Sequence, residues 1–211
     1  ANFAASANGS AVKLVSLIIE KFPGFRDTVI YRGLLVHFYK RAQILTSDLR
    51  AAYGRRVDYD DDNQNCDGVS ADAKSSDKHF AVFRDINQLT MFADYRVPQI
   101  LRHIGILKYS SPLQQHIDGL QEIAFASEWE TEIRAGTVIA VDKIRSALAR
   151  RNVDVLSVEV DWMLWNEGEK MQLEMAAAAE TAAETAGRTD FKSESQSNFI
   201  KPHHRTLTIY Y

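Results

Sequence analysis

SEWETEIRAGTVIAVDKIRSALARR, running from Ser127 to Arg151, reads as one long helix. Ser127 and Glu130 have the spacing of a capping box, in which a hydroxyl and a carboxylate satisfy the first free N–H groups. Ile133, Val138, Val141, Ile144 and Leu148 follow at helical intervals and predict the buried face. Outward from this helix the same period recurs. On the carboxyl side, Asp154 is placed to cap a helix carrying Val155, Val158, Asp161, Trp162, Leu164 and Trp165. On the amino side, Ser111-Pro112 reads as an N-cap followed by proline at the first helical position, with a helix to about Leu120. Pro98 suits a helix first turn, with Ile100, Leu101 and Ile104 on one face and Gly105 as the stop. Ser10 opens a helix whose apolar face spans Val12 to Ile19 and which Pro23-Gly24 ends. A further helix is expected from about Arg32 to Tyr53, on Leu34, Leu35, Phe38, Ala42, Leu45 and Leu49. The end of the chain, from His203 to Tyr211, alternates and is aromatic, so it reads as an extended segment docked on the domain. At least six helices with little sheet predict a mainly α fold, with residues 1–211 as one helical catalytic domain.

Two segments break the pattern. Residues 55–78 are rich in Asp, Asn and Ser, and residues 168–197 in Ala, Glu, Thr and Ser; both read as inserts. Asp58, Asp60 and Asp62 have the spacing of a calcium loop's first ligands. Asn63 stands where that loop needs glycine and Val69 where it needs glutamate, so a solvated acidic loop is expected instead.

Bulk properties narrow the function. The 211 residues carry a net charge of -3 with a pI near 6.1, which disfavours a nucleic-acid polymer as partner but not a single nucleotide. Cys66 is the sole cysteine, so an internal disulfide is excluded. No apolar run approaches the roughly 18 residues of a membrane span.

Three stretches concentrate chemistry: Phe38 to Leu45, Thr90 to Leu101, and Val160 to Asn166. Asp161 lies inside an apolar helix, where a carboxylate is costly unless paired or functional. Trp165, four residues on, shares its helix face. A fixed carboxylate beside an aromatic plane suits a site that stacks a base and stabilises positive charge on a sugar. The other reading pairs Asp161 with an arginine. Asp94 can accept two hydrogen bonds from a guanine-like edge, with Phe92 over the ring; equally, Asp94 caps a helix and Phe92 is core. Lys40 and Arg41 can grip a phosphate or line a solvated helix edge. His37 reads as packed or exposed, and His203-His204 has no partners with metal-ligand spacing.

These stretches, with Phe22 to Asp27 and the terminal His204 to Tyr211, resemble the queuosine salvage protein family in order and approximate spacing. The resemblance covers nearly the whole chain outside the two inserts. It implies a helical fold related to helix-hairpin-helix DNA glycosylases. It also implies hydrolysis of the N-glycosidic bond of queuosine 5′-monophosphate to queuine, without metal or organic cofactor. Carried over by motif, Asp161 is the catalytic carboxylate, Phe92 and Asp94 recognise the base, Trp162 and Asn166 neighbour the base or its aminomethyl arm, and Lys40 takes the 5′-phosphate. The expected partners are this small molecule and a preceding amino-terminal segment, with no nucleic-acid polymer and no membrane, in the cytoplasm. Asn166 stands where the family tends to carry an acid, so the charge for an ammonium is lost there. Family members are longer at the amino end, so a preceding segment is expected to close part of the pocket. Two alternatives stay open: a nucleic-acid-binding, DNA-glycosylase-like module, whose hairpin here holds Gly105 alone, and a non-catalytic relative.

Overall fold

A computed structural model describes residues 3–54, 81–186 and 200–211. Among them are six α-helices and one two-stranded sheet: α1 (Ala11–Lys21), β1 (Thr28–Tyr31), β2 (Leu34–His37), α2 (Lys40–Leu49), α3 (Arg96–His103), α4 (Ser111–Asp118), α5 (Glu128–Ala149) and α6 (Ser157–Ala186). The mainly α expectation holds.

The caps explain several boundaries. Ser10 accepts from Lys13 N at the start of α1, and Ser127 accepts from Glu130 N at the start of α5. Ser110, not Ser111, occupies the cap position of α4, with Pro112 still in the first turn. Asp154 does not cap α6; the helix opens at Ser157, and Glu159 Oε2 reaches back to accept from Leu156 N at 2.9 Å. Gly105, at φ +81°, ends α3 as expected, and Ile106 N returns to Leu101 O at 2.9 Å.

One expected helix begins too early. Residues 28–37 form a hairpin with Thr28 opposite His37 and Tyr31 opposite Leu34. Its turn, Arg32-Gly33, has both φ values positive (51° and 81°), the conformation that matches the twist of paired strands. Leu34 and Leu35, read as a buried helix face, are exposed. Their spacing is compatible with either element, and the backbone freedom of Gly33 decides for the turn. α2 therefore starts only at Lys40, just after Tyr39 at φ 48°.

Two cores meet along the irregular strip of residues 89–94. Leu89 and Phe92 pack with α1 and Val158; Met91 and Ala93 pack with Phe38, Val97, Leu101, Val141 and Val160. A third cluster joins α4 to Ile123 and Ile133. α6 runs unbroken through Gly168, where any Cβ would lie 2.9 Å from Arg96 Cδ, while Glu169 and Gln172 bond that arginine. The acidic stretch 55–78, with Asp58, Asp60 and Asp62, lies outside the described residues, as do residues 187–199. The terminal segment docks as expected: Ile123 N donates to Arg205 O at 2.8 Å, and Tyr210 Oη to Arg26 O at 3.1 Å.

Under this frame lies a buried ion pair that links distant parts of the sequence. Arg134 of α5 donates to both oxygens of Asp27, at 2.9 and 2.5 Å, and neither side chain is exposed. Breaking such a pair strands a buried charge. Arg134→Met should lower unfolding free energy by roughly 3–5 kcal/mol in urea titrations, against about 1 kcal/mol for the cap variant Ser127→Ala.

Candidate active site

Asp161, Asp94, Lys40 and Phe92 are all buried, and the fold brings them to the seam between the two cores. Val158 points into one core and Val160 into the other, so Asp161 emerges where α6 crosses the strip that carries Phe92. Phe92 N donates to Asp161 Oδ1 at 3.1 Å. The second oxygen of Asp161 accepts no hydrogen bond among the described residues, and no arginine pairs with it there. The arginine-paired reading of Asp161 is thus not what the fold adopts.

Asp94 fulfils the capping alternative with one oxygen. Its Oδ1 accepts from Arg96 N and Val97 N, both at 3.0 Å, at the start of α3. Oδ2 stays unbonded among the described residues. Lys40 is the first residue of α2, its N–H donating to Asp27 Oδ2 at 3.2 Å. Its ammonium lies over the Tyr211 ring, 5.9 Å from the centroid, and makes no contact ion pair among the described residues. Arg41 diverges, stacking over Phe25 and donating to Gly24 O at the exposed edge. The adjacent cations thus separate, one into the site and one outside it.

The aromatic candidates are placed less uniformly. Phe92 packs its ring into the core with α1, and Trp162 lies partly buried against the same cluster. Asn166 and Trp165 are exposed on α6. His37 is exposed, its Nδ1 2.7 Å from Tyr39 Oη. Among the described residues, no group of three or more His, Cys, Asp or Glu is placed to hold a metal ion, and no helix is long and apolar enough to cross a membrane.

Sequence reasoning missed Tyr211, Glu130 and Arg134. Tyr211 Oη donates to Glu130 Oε1 at 2.7 Å and meets the buried His204 Nε2 at 3.0 Å. A signal for the other two was present. Glu130, Arg134 and Thr137 continue at helical spacing the stripe of Ile133 and Val141, and polar residues on a core stripe mark a buried network.

Burial, then the charge of Asp94, pushes the Asp161 carboxyl up to about 8, against the smaller pull of the Phe92 N–H and Lys40. Burial raises Asp94 as well and depresses Lys40, which Asp94 then draws partly back. Folded Asp161 keeps its proton to about pH 8, whereas the unfolded chain releases it near 3.8. Across that window the native state binds the extra proton, so this group costs stability progressively as pH rises. Asn keeps the acceptor for Phe92 N and has no proton to lose. Asp161→Asn should therefore stabilise the fold by about 2 kcal/mol or more at pH 8, and the gain should vanish near pH 4. Thermal unfolding across that range checks the sign.

Comparison with known proteins places the chain in a family. The queuosine salvage protein family matches residues 1–62 and 69–211. A queuosine 5′-phosphate N-glycosylase/hydrolase of Dictyostelium discoideum is 40% identical over 206 residues, covering 98% of this chain and 50% of its own. The protein of the same name from Sphaerobacter thermophilus is 39% identical over 207 residues, again 98% and 50%. The one from Mus musculus is 31% identical over 209 residues, 96% and 48%. The chain spans about half the length of these curated relatives. On the match across nearly all its residues, the chain belongs to the queuosine salvage protein family.

Proposed function

We propose that this chain supplies the reacting carboxylate of a hydrolase that cuts the N-glycosidic bond of queuosine 5′-phosphate and releases queuine. The observation that carries the reading is the pair of buried aspartates, each with one oxygen unbonded among the described residues and with a lysine in electrostatic reach. The names of the relatives, queuosine 5′-phosphate N-glycosylase/hydrolase, support the substrate.

In this reading Asp94 Oδ2 takes the N–H edge of the deazaguanine, with Phe92 beneath and Trp162 and Asn166 toward the aminomethyl arm. Asp161 stands at the sugar. As the bond between C1′ and the base breaks, its electron pair leaves with the base and positive charge grows on the ribose. An ionised Asp161 stabilises that charge and accepts a proton from the water that bonds to C1′. That proton passes to the departing base, so the carboxylate ends as it began. The protonated arm of the substrate brings the cation that lets Asp161 ionise in a desolvated site.

The finer fold reading belongs to the same proposal. Kinship with helix-hairpin-helix DNA glycosylases is supported by α3 ending at Gly105 and α4 starting at Ser111. Residues 1–211 are taken as one catalytic domain, with 55–78 and 168–197 as additions to it. A nucleotide rather than a polymer as ligand is supported by the net charge of -3. The single cysteine suits a reducing cytoplasm.

Incubation with queuosine 5′-phosphate should release queuine, detected by mass spectrometry. Asp161→Asn should slow release by about 10²–10⁴-fold. Equal release by the variant would remove Asp161 from the reaction, and silence of the parent would sink the reading for this chain. For the parent, kcat/KM should climb with pH to about 8 as the free protein's Asp161 ionises.

A further inference from the structure

Lys40 stands in an unusual position for a phosphate holder. Its backbone is pinned by the Asp27 carboxylate, and its side chain is buried. The groups that face its ammonium are Asp94, Asp161 and Asp27, which attract it, and Arg134, which repels it. A phosphate dianion brought against Lys40 would stand beside those carboxylates and add two like charges to a desolvated cluster. The seat of the ammonium is equally specific. Tyr211 turns its ring toward both Lys40 and Arg134, at 5.9 and 5.6 Å from the centroid. Its hydroxyl is fixed by Glu130 and His204, both buried. Burial keeps His204 neutral, down to about 3, so it adds no cation to compete with Lys40.

We infer that Lys40, seated on the ring of Tyr211, is the charge partner of the Asp94–Asp161 pair, and that the 5′-phosphate of a nucleotide substrate is held elsewhere. This rests on the reading above only in taking these groups as one substrate site. With Lys40 protonated and both aspartates ionised, the trio carries one net negative charge. That matches a single positive charge, whether on the substrate's arm or developing on its sugar. Tyr211 is a positioning residue: it acts through Lys40, by a cation–π contact in a desolvated setting.

The test is a carboxyl NMR titration of aspartate-labelled protein, with the Asp94 and Asp161 signals assigned from their asparagine variants. Lys40→Met should raise both midpoints by about half a pH unit or more, and Lys40→Arg should restore them. Tyr211→Leu should move them the same way by less. The double variant should match Lys40→Met alone, because Tyr211 works through the ammonium; a role in general packing would add instead. Unmoved midpoints in Lys40→Met overturn the proposal, and additive shifts overturn the part of Tyr211. In activity assays, Lys40→Met should reduce kcat/KM by the same factor for queuosine and for queuosine 5′-phosphate. A loss confined to the phosphate ester overturns the proposal. If the parent cleaves neither substrate, the hydrolase reading fails while the titration still decides the pairing.

Discussion

Arg134 holds the site together from a position with no exposure to solvent. One guanidinium spans two lengths of chain that are far apart in sequence. Two nitrogens grip the Asp27 carboxylate, and Nε donates to Ala93 O at 3.3 Å. Asp27 in turn closes the hairpin: its carbonyl accepts from Phe38 N and Tyr39 N, at 3.0 and 3.1 Å, and its carboxylate accepts from Lys40 N. Ala93 directly precedes Asp94. The relative placement of Lys40 and Asp94 is therefore set by one cation, through two short covalent links. Burying such a pair is expensive, and it survives because nearly every lone pair and N–H is used. Phe38 stacks on the guanidinium, 3.9 Å from the ring centroid to Cζ, and Glu130 lies at 3.4 Å.

Asp161 is tied in by a different device. It does not touch the Arg134 network; it hangs on Phe92 N, one residue before Ala93. The strip 92–94 thus fixes both site aspartates in three consecutive residues: Phe92 holds Asp161, Ala93 is held by Arg134, and Asp94 carries its own carboxylate while capping α3. Alternation along this strip sends Phe92 to one core and Ala93 to the other. A strip wedged between two packed cores has little freedom to shift, so the spacing of the carboxylates is set by packing rather than by their own mutual repulsion.

Much of this was legible in the residues. Helix periodicity and caps gave α1, α3, α4 and α5 to within a residue or two at their starts, because serine caps and proline or glycine stops are local chemistry. Asp161 and Asp94 stood out because carboxylates inside apolar runs are costly. The hairpin was not legible, since Leu34, Leu35 and Phe38 fit a helical stripe and only the positive φ at Arg32 and Gly33 tells otherwise. The hub was legible only in part. Glu130 and Arg134 fall on the core stripe of their helix, but their partners Asp27 and Tyr211 lie 184 residues apart, and that pairing is a tertiary fact that no window of sequence contains.

The electrostatics of the site follow from the same geometry. Two aspartates in a desolvated seam cannot both ionise cheaply while Lys40, itself held below its ordinary range by burial, only partly offsets them. The proton therefore rests on Asp161, whose single hydrogen bond stabilises the anion less than the two backbone N–H groups stabilise Asp94. In the proposed reading this difference separates the acids: the capped aspartate is the better anion, suited to recognition, and the poorly solvated one is the acid that changes its charge. A neutral ligand gives the proton no reason to leave. A ligand that carries its own positive charge into the seam removes the repulsion that kept it there, and so discriminates in favour of itself before any bond is broken.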